Sequence, residues 1–270
     1  MVCAGLAALV YAVIEGPRAG WTSPAICGLF VAAGTVLVAF TLYEVRRTEP
    51  LVDLRFFRSV PFTTATVLAL CSFASFAGFL FLNALYLQQE RGLAAFQAGL
   101  CTLPLAAMMV ITAPISGRLV GKHGPRPALL FAGMGFLLST LMLTGLSPST
   151  PLATLVVAYA LFGVGLGMVN PAITNSAVAG MPLSQAGVAA AIASTGRQVG
   201  AALGVAIAGT VVNSARASGV DFSRATHPIW WIMTGCGGVT LVSAWAVGQP
   251  WGAAPPLVVP PRAPVDTAAR

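Results

Sequence analysis

Charge is what this sequence has least of. Only 8% of its 270 residues are Asp, Glu, Lys or Arg, against about 25% in an ordinary soluble domain. So few charges cannot cover a water-soluble globule. With 57% apolar residues and a mean hydropathy of +0.86, the expected solvent for most of the chain is a lipid bilayer. Acids are scarcer still. There are seven, and Glu15, Glu44 and Glu90, like the rest, sit at the ends of apolar runs or between them. That leaves this chain without the membrane-buried carboxylate that a cation-driven cycle ordinarily uses. The two histidines, His123 and His227, have no second ligand at metal spacing, so no metal and no cofactor are expected. The five cysteines, Cys3, Cys27, Cys71, Cys101 and Cys236, are scattered and contain no CxxC pair, which predicts buried free thiols. No convergent acid, base and nucleophile suggests an enzyme. No basic stripe with interleaved aromatics suggests a nucleic-acid partner.

What is abundant is long apolar sequence. The stretches 19–43, 59–89, 92–117, 127–196, 198–215 and 225–261 hold no Asp, Glu, Lys or Arg. The longest is divided by the turn Ser147 to Pro151 and by a polar patch from Asn170 to Gln185. These runs predict about eight spans: Met1 to Ile14, Ala25 to Tyr43, Phe62 to Leu87, Ala98 to Gly117, Pro127 to Leu146, Leu152 to Thr174, Gly187 to Val212 and Ile229 to Val247. They are continuous rather than alternating and exceed a barrel strand, so each must satisfy its backbone internally as a helix. The expected fold class is therefore an all-α polytopic membrane protein. Met1 opens directly on apolar residues, without the basic region that precedes a signal-peptide core. The first span is too short to cross a bilayer, which predicts that the chain begins inside a helix and is a fragment.

Basic residues set the orientation. Arg46, Arg47, Arg55, Arg58, Arg118, Lys122, Arg126, Arg262 and Arg270 fall on one side of the alternating spans; Arg18, Arg91, Arg216 and Arg224 fall on the other. The first side is expected to be cytoplasmic, with the C-terminus on it. The loop Val45 to Phe62 mixes arginines with Leu51, Val52, Leu54, Phe56 and Phe57, as an amphipathic surface segment does. Beyond Gln249 the tail is proline-rich and expected to be disordered.

Several polar groups lie within spans. Asn83, Tyr86, Asn170, Asn175, Arg197 and Gln198 are the candidates for lining a solute cavity. Structural hydrogen bonding between helices is the commoner duty of such groups. Arg197 stands out, because a charge near mid-membrane costs at least about 2.5 kcal/mol unless it is paired, hydrated or able to snorkel. Next to it, Gly196, Gly200, Gly204 and Ala208 are spaced four apart, the pattern of a tight helix seam. Gly163, Gly165 and Gly167 of GVGLGMVNP sit within an apolar helix and predict helix contact rather than phosphate binding. Phe73, Phe76 and Phe79 recur three apart and predict lipid or core contact.

The ordered motifs IEGPRAGW (Ile14 to Trp21), EPLVDLRFFRS (Glu49 to Ser59), LYLQQERGLAAFQAGL (Leu85 to Leu100), GRLVGKHGPRP (Gly117 to Pro127) and STGRQVGAALGVAIAGTV (Ser194 to Val211) resemble the major facilitator superfamily. The resemblance is to its drug and proton antiporter branch of about fourteen helices. It implies the C-terminal eight helices of such a fold: residues 1–60 as two linker helices, the first truncated, with the amphipathic loop; 61–248 as the six-helix C-terminal half; and 249–270 as the cytoplasmic tail. It also implies a missing N-terminal six-helix half as partner, a small amphipathic organic solute, protons as coupling ion and residence in the cell membrane. The cytoplasmic-loop signature is matched by Gly117, Arg118, Lys122, Gly124 and Arg126, but Gly121 stands where that signature carries Asp. The resemblance thus points to part of a drug exporter; the alternative is a nontransporting remnant or a membrane interaction subunit.

Orientation is testable directly. Reporter fusions at Arg58 and at Arg224 are expected to read opposite faces of the membrane. A common face for both would overturn the span assignment.

Overall fold

A computed structural model describes residues 2–20, 22–45, 59–179, 183–217, 219 and 221–247. Among them every regular element is helical: α1 (Val2–Ala19), α2 (Pro24–Val45), α3 (Val60–Leu85), α4 (Ala95–His123), α5 (Pro125–Thr144), α6 (Leu152–Val178), α7 (Leu183–Ala217) and α8 (Phe222–Val247), with a π-helical turn at Tyr86–Glu90 after α3. Among the described residues, five stretches are long and apolar enough to cross a membrane: Val60–Glu90, Ala95–His123, Pro125–Thr144, Leu152–Val178 and Gln185–Ala215. In α2 the apolar stretch is the shorter Pro24–Phe40. The chain is an all-α polytopic membrane protein. The surface loop around residues 46–58 and the tail from residue 248 lie outside the described residues.

The expected spans between Ala25 and Gly117 and between Leu152 and Val247 fall within helical segments that mostly run further than the spans, whereas the expected span Pro127 to Leu146 overshoots α5, which ends at Thr144, and Met1 of the first span lies outside the described residues. Helix α4 continues to His123, α1 passes Glu15 and Pro17 to Ala19, and α7 extends from Leu183 to Ala217 through Arg197. Hydropathy measures the apolar slab, whereas helical hydrogen bonding carries on into the interface, where charged side chains are solvated. The turn between α4 and α5 is therefore made at Gly124 alone, whose φ of 76° lies in the left-handed region that glycine adopts without penalty. Gly117 and Gly121 stand inside α4 instead.

Helices α3 to α8 form one bundle in which α3 packs on α7, α4 on α6, and α5 on both α6 and α8; α2 lies on α1, which reaches α7. Glycine makes each main seam close. A methyl at Gly200 would strike the backbone of Leu70, and one at Gly204 that of Ala74, both in α3. Gly163 and Gly167 hold the same relation to Leu105 and to Met109 and Thr112 of α4, while a methyl at Gly135 of α5 would come 2.8 Å from the Leu161 carbonyl of α6. Gly237 of α8 approaches Leu137 of α5, where a methyl would lie 3.1 Å from the backbone nitrogen. Gly196 differs, because its methyl would make only an ordinary 3.5 Å contact with Ala69.

At the centre, Phe79 stacks on Phe162 with ring centroids 4.4 Å apart and meets Tyr159 and Trp230 edge-on at 5.3 and 6.2 Å. Phe136 joins Phe162 at 5.0 Å, so the rings connect α3, α5, α6 and α8. Short hydroxyl bonds add ties. Ser116 Oγ donates to the Met168 carbonyl at 2.6 Å, Ser139 Oγ to Ala158 at 2.7 Å, and Thr234 Oγ1 to Thr140 Oγ1 at 2.9 Å.

The seam makes a graded prediction. Gly204→Ala and Gly200→Ala gain up to about 1 kcal/mol of helix propensity but incur steric strain of about 1–3 kcal/mol, so both are expected to lower the melting temperature in detergent. Gly196→Ala, with room for its methyl, should leave it unchanged or raise it slightly. Equal effects at all three positions would contradict the geometry.

Candidate functional site

The polar groups expected to line a cavity divide into two sets. Asn83 and Tyr86 lie at the end of α3 and its π-helical turn, both buried, at 4% and 1% exposure. Tyr159 of α6 donates its hydroxyl to Asn83 Oδ1. Tyr86 donates its own to the Ser147 carbonyl at 2.6 Å and lies near-parallel to Phe222, with ring centroids 6.4 Å apart. Arg91 completes this clasp on the α5–α6 connection, donating from Nη1 to the Thr150 carbonyl at 2.9 Å and placing its guanidinium 6.0 Å from the Tyr86 ring. Sequence reasoning had no means of identifying these partners, since 61 and 76 residues separate the bonded pairs.

The second set is more accessible. Asn175 in α6 and Gln198 in α7 are exposed, and Asn170 and Arg197 are half-buried. Arg197 holds its guanidinium 5.9 Å from the ring centroid of Phe73 in α3, a cation–π arrangement across the α3–α7 seam. Asn170 accepts from Thr174 Oγ1 through its backbone carbonyl at 3.2 Å, so its amide is uncommitted in that bond. The described hydrogen bonds do not link the α6 pair to the α7 pair. Around Gln198 the open face of α7 carries Ser194, and Thr174 is exposed beside Asn175 on α6. Helices α5 and α8 instead expose Phe131, Met134, Leu138, Trp231, Ile232, Val242 and Trp245.

The three phenylalanines of α3 part company: Phe79 is core, Phe76 packs against the core, and Phe73 lies under Arg197. Around the α4–α5 turn, Arg118 and Lys122 of α4 and Arg126 of α5 are all exposed, and Arg126 sits 5.4 Å from the centroid of the Trp245 ring on α8. Ala208 is fully buried. Among the described residues no group of three or more His, Cys, Asp or Glu side chains could hold a metal ion. The expectation of buried thiols is corrected among the described residues: Cys27 is exposed on α2, which packs chiefly on α1, and Cys71, Cys101 and Cys236 are half-buried.

Comparison with known proteins joins these observations. The chain is 36% identical over 209 residues to the tetracenomycin C resistance and export protein of Streptomyces glaucescens, covering 76% of this chain and 38% of that protein. It is 35% identical over 205 residues to the multidrug resistance protein Stp of Mycobacterium tuberculosis, with the same coverage. It is 33% identical over 214 residues to a methylenomycin A resistance protein of Streptomyces coelicolor, covering 77% and 44%. The chain thus spans about two fifths of the length of the curated relatives it matches. Residues 1–205 match the family model described as Major Facilitator Superfamily, and with the apolar helices and drug-resistance relatives in agreement, the chain belongs to that superfamily and groups with its drug-efflux branch.

Proposed function

We propose that this chain forms the C-terminal part of a cell-membrane exporter of amphipathic organic compounds, driven by proton antiport. The observation that carries the reading is the similarity to proteins named for drug resistance and export. On this reading residues 1–60 are linker helices with their loop, 61–248 the six-helix half and 249–270 the cytoplasmic tail, and a six-helix N-terminal half faces the bundle. The contrast between faces supports that arrangement. A side that exposes Trp231, Ile232, Val242 and Trp245 suits lipid, whereas Ser194 and Gln198 on α7 and Thr174 and Asn175 on α6 suit a solute path.

The two sets of polar residues then take different roles. Asn83 and Tyr86 tie α3 to α6 and to the α5–α6 connection, and Arg197, Gln198, Asn170 and Asn175 are the solute-facing candidates. With Glu90 at the very end of its apolar stretch and no acid deeper in those of α3 to α8, the proton carrier belongs to the facing half. Lys122 and Arg126 serve as positive-inside anchors on the cytoplasmic side.

The whole reading frame containing this chain, expressed in an efflux-deficient bacterium, is expected to lower accumulation of amphipathic fluorescent solutes and raise resistance to them. Collapse of the proton gradient should abolish the effect. Arg197→Ala is expected to reduce export about tenfold, equivalent to about 1–2 kcal/mol of weaker solute interaction, without altering the melting temperature. Asn83→Ala should instead lower the melting temperature, because it strands the buried Tyr159 hydroxyl. Unchanged accumulation of every solute would overturn the export reading, and export that persists without a proton gradient would overturn the coupling.

A further inference from the structure

One cation lies deep inside this bundle. Arg197 is the only Asp, Glu, Lys or Arg in the apolar stretch Gln185–Ala215, 12 residues in from one end and 18 from the other. Twelve residues of helix span about 18 Å, more than half of a hydrocarbon core about 30 Å thick. Nor does the side chain turn back toward the nearer end. Gly200 meets Leu70 and Gly204 meets Ala74, so α7 and α3 run in the same direction, with Ala74 level with Gly204. In reaching Phe73, the guanidinium points away from Gln185, the opposite of snorkelling to that interface.

Its donors are unused there. Among the described residues the guanidinium has the Phe73 ring at 5.9 Å and no hydrogen-bond or ion-pair acceptor. Arginine carries five N–H groups in a planar fork that matches a carboxylate, and a ring face orients that fork without accepting from its edge. The ring is one of two: Phe73 meets Phe76 edge-on with centroids 6.3 Å apart, and both are half-buried. Ser194 and Gln198, exposed on α7 beside Arg197, leave the site open. A cationic solute would meet like charge here, with no acid of this half deeper than Glu90 to offset it. A neutral one leaves the fork without its charged acceptor. An aromatic anion satisfies both the fork and the rings.

We propose, resting on the export reading above, that Arg197 with Phe73 and Phe76 selects aromatic organic acids, bound as their carboxylates, over neutral and cationic solutes of the same shape. The carboxylate accepts from the in-plane N–H groups of Arg197, and the solute ring packs against the two phenylalanines. Selection thus comes from a donor set that only an anion fills, at a depth where water screens it poorly.

The test uses the protein encoded by the whole reading frame, purified in mild detergent and titrated with fluorescent pyrenebutyrate and with its methyl ester. Arg197→Gln is expected to raise the Kd of the acid at least about tenfold more than that of the ester, the share of one charge-assisted hydrogen bond. Each ligand is compared with itself, so partition into micelles cancels. Arg197→Lys, which keeps the charge without the fork, should fall between. Equal changes for acid and ester would overturn the selection and assign the arginine's acceptor to the facing half. Should the glutamine variant fail to fold, phenylglyoxal on the unsubstituted protein decides, with peptide mapping of the modified arginines. Pyrenebutyrate is expected to protect Arg197 but not Arg118, and the ester to protect neither; equal protection of Arg197 by both ligands, or by neither, would overturn it. Export of the same solutes is measured separately, so a protein that binds the acid selectively but moves no solute refutes the export reading and upholds the selection.

Discussion

Close backbone approach at glycine is the constraint on which the rest of this bundle depends. In lipid, every helix already satisfies its own hydrogen bonds, and apolar side chains gain little by leaving lipid for one another. What remains to hold helices together is dense van der Waals contact, and that is greatest where no Cβ intervenes. Gly200 and Gly204 let α7 sit on the backbone of α3, Gly163 and Gly167 do the same for α6 on α4, and Gly135 and Gly237 bring α5 to α6 and α8. Because α6 carries two such seams, it lies deep in the bundle, while α4 packs chiefly on α6 and α7 chiefly on α3, and both leave more of their surfaces open.

Polar groups then specify what the seams leave adjustable. A hydroxyl bond between membrane helices contributes only about 0.6–2 kcal/mol, so no single one holds the fold. Their value is register. Ser116 on Met168 and Ser139 on Ala158 fix where α4 and α5 stand along α6. At the far end of α3, Tyr86 and Arg91 secure the connection between α5 and α6 through its carbonyls. The π-helical turn at Tyr86–Glu90 supplies this clasp, placing both side chains against Ser147 and Thr150.

Much of the fold was legible because it is a one-dimensional property: charges are excluded from hydrocarbon, so their positions mark the segments that cross it. Helix ends were less legible, since Glu15, Arg118 and Arg216 end an apolar run without ending a helix. The glycine pattern of α7 announced a seam yet could not name α3 as its partner, because spacing describes one surface and not the one it meets. The same limit hid Tyr159 from Asn83 and Phe73 from Arg197. Each of these pairs is made by tertiary packing between residues far apart in sequence, and no local pattern encodes it.

Arg197 shows how magnitudes sharpen the proposed division of faces. Its charge costs at least about 2.5 kcal/mol at mid-membrane, and the Phe73 ring at 5.9 Å returns about 0.5–1 kcal/mol if exposed and about 2 if desolvated. Neither value closes the gap, so the ring can orient the guanidinium but cannot solvate it. The remainder must come from water or from an acceptor on the open side of α7. That is the side where Ser194 and Gln198 are exposed, and it is unlike the lipid-suited Trp231 and Val242 of α8. On the proposed reading, the arginine therefore sits at the edge of a hydrated path, held by an aromatic wall that a passing amphipathic solute could share.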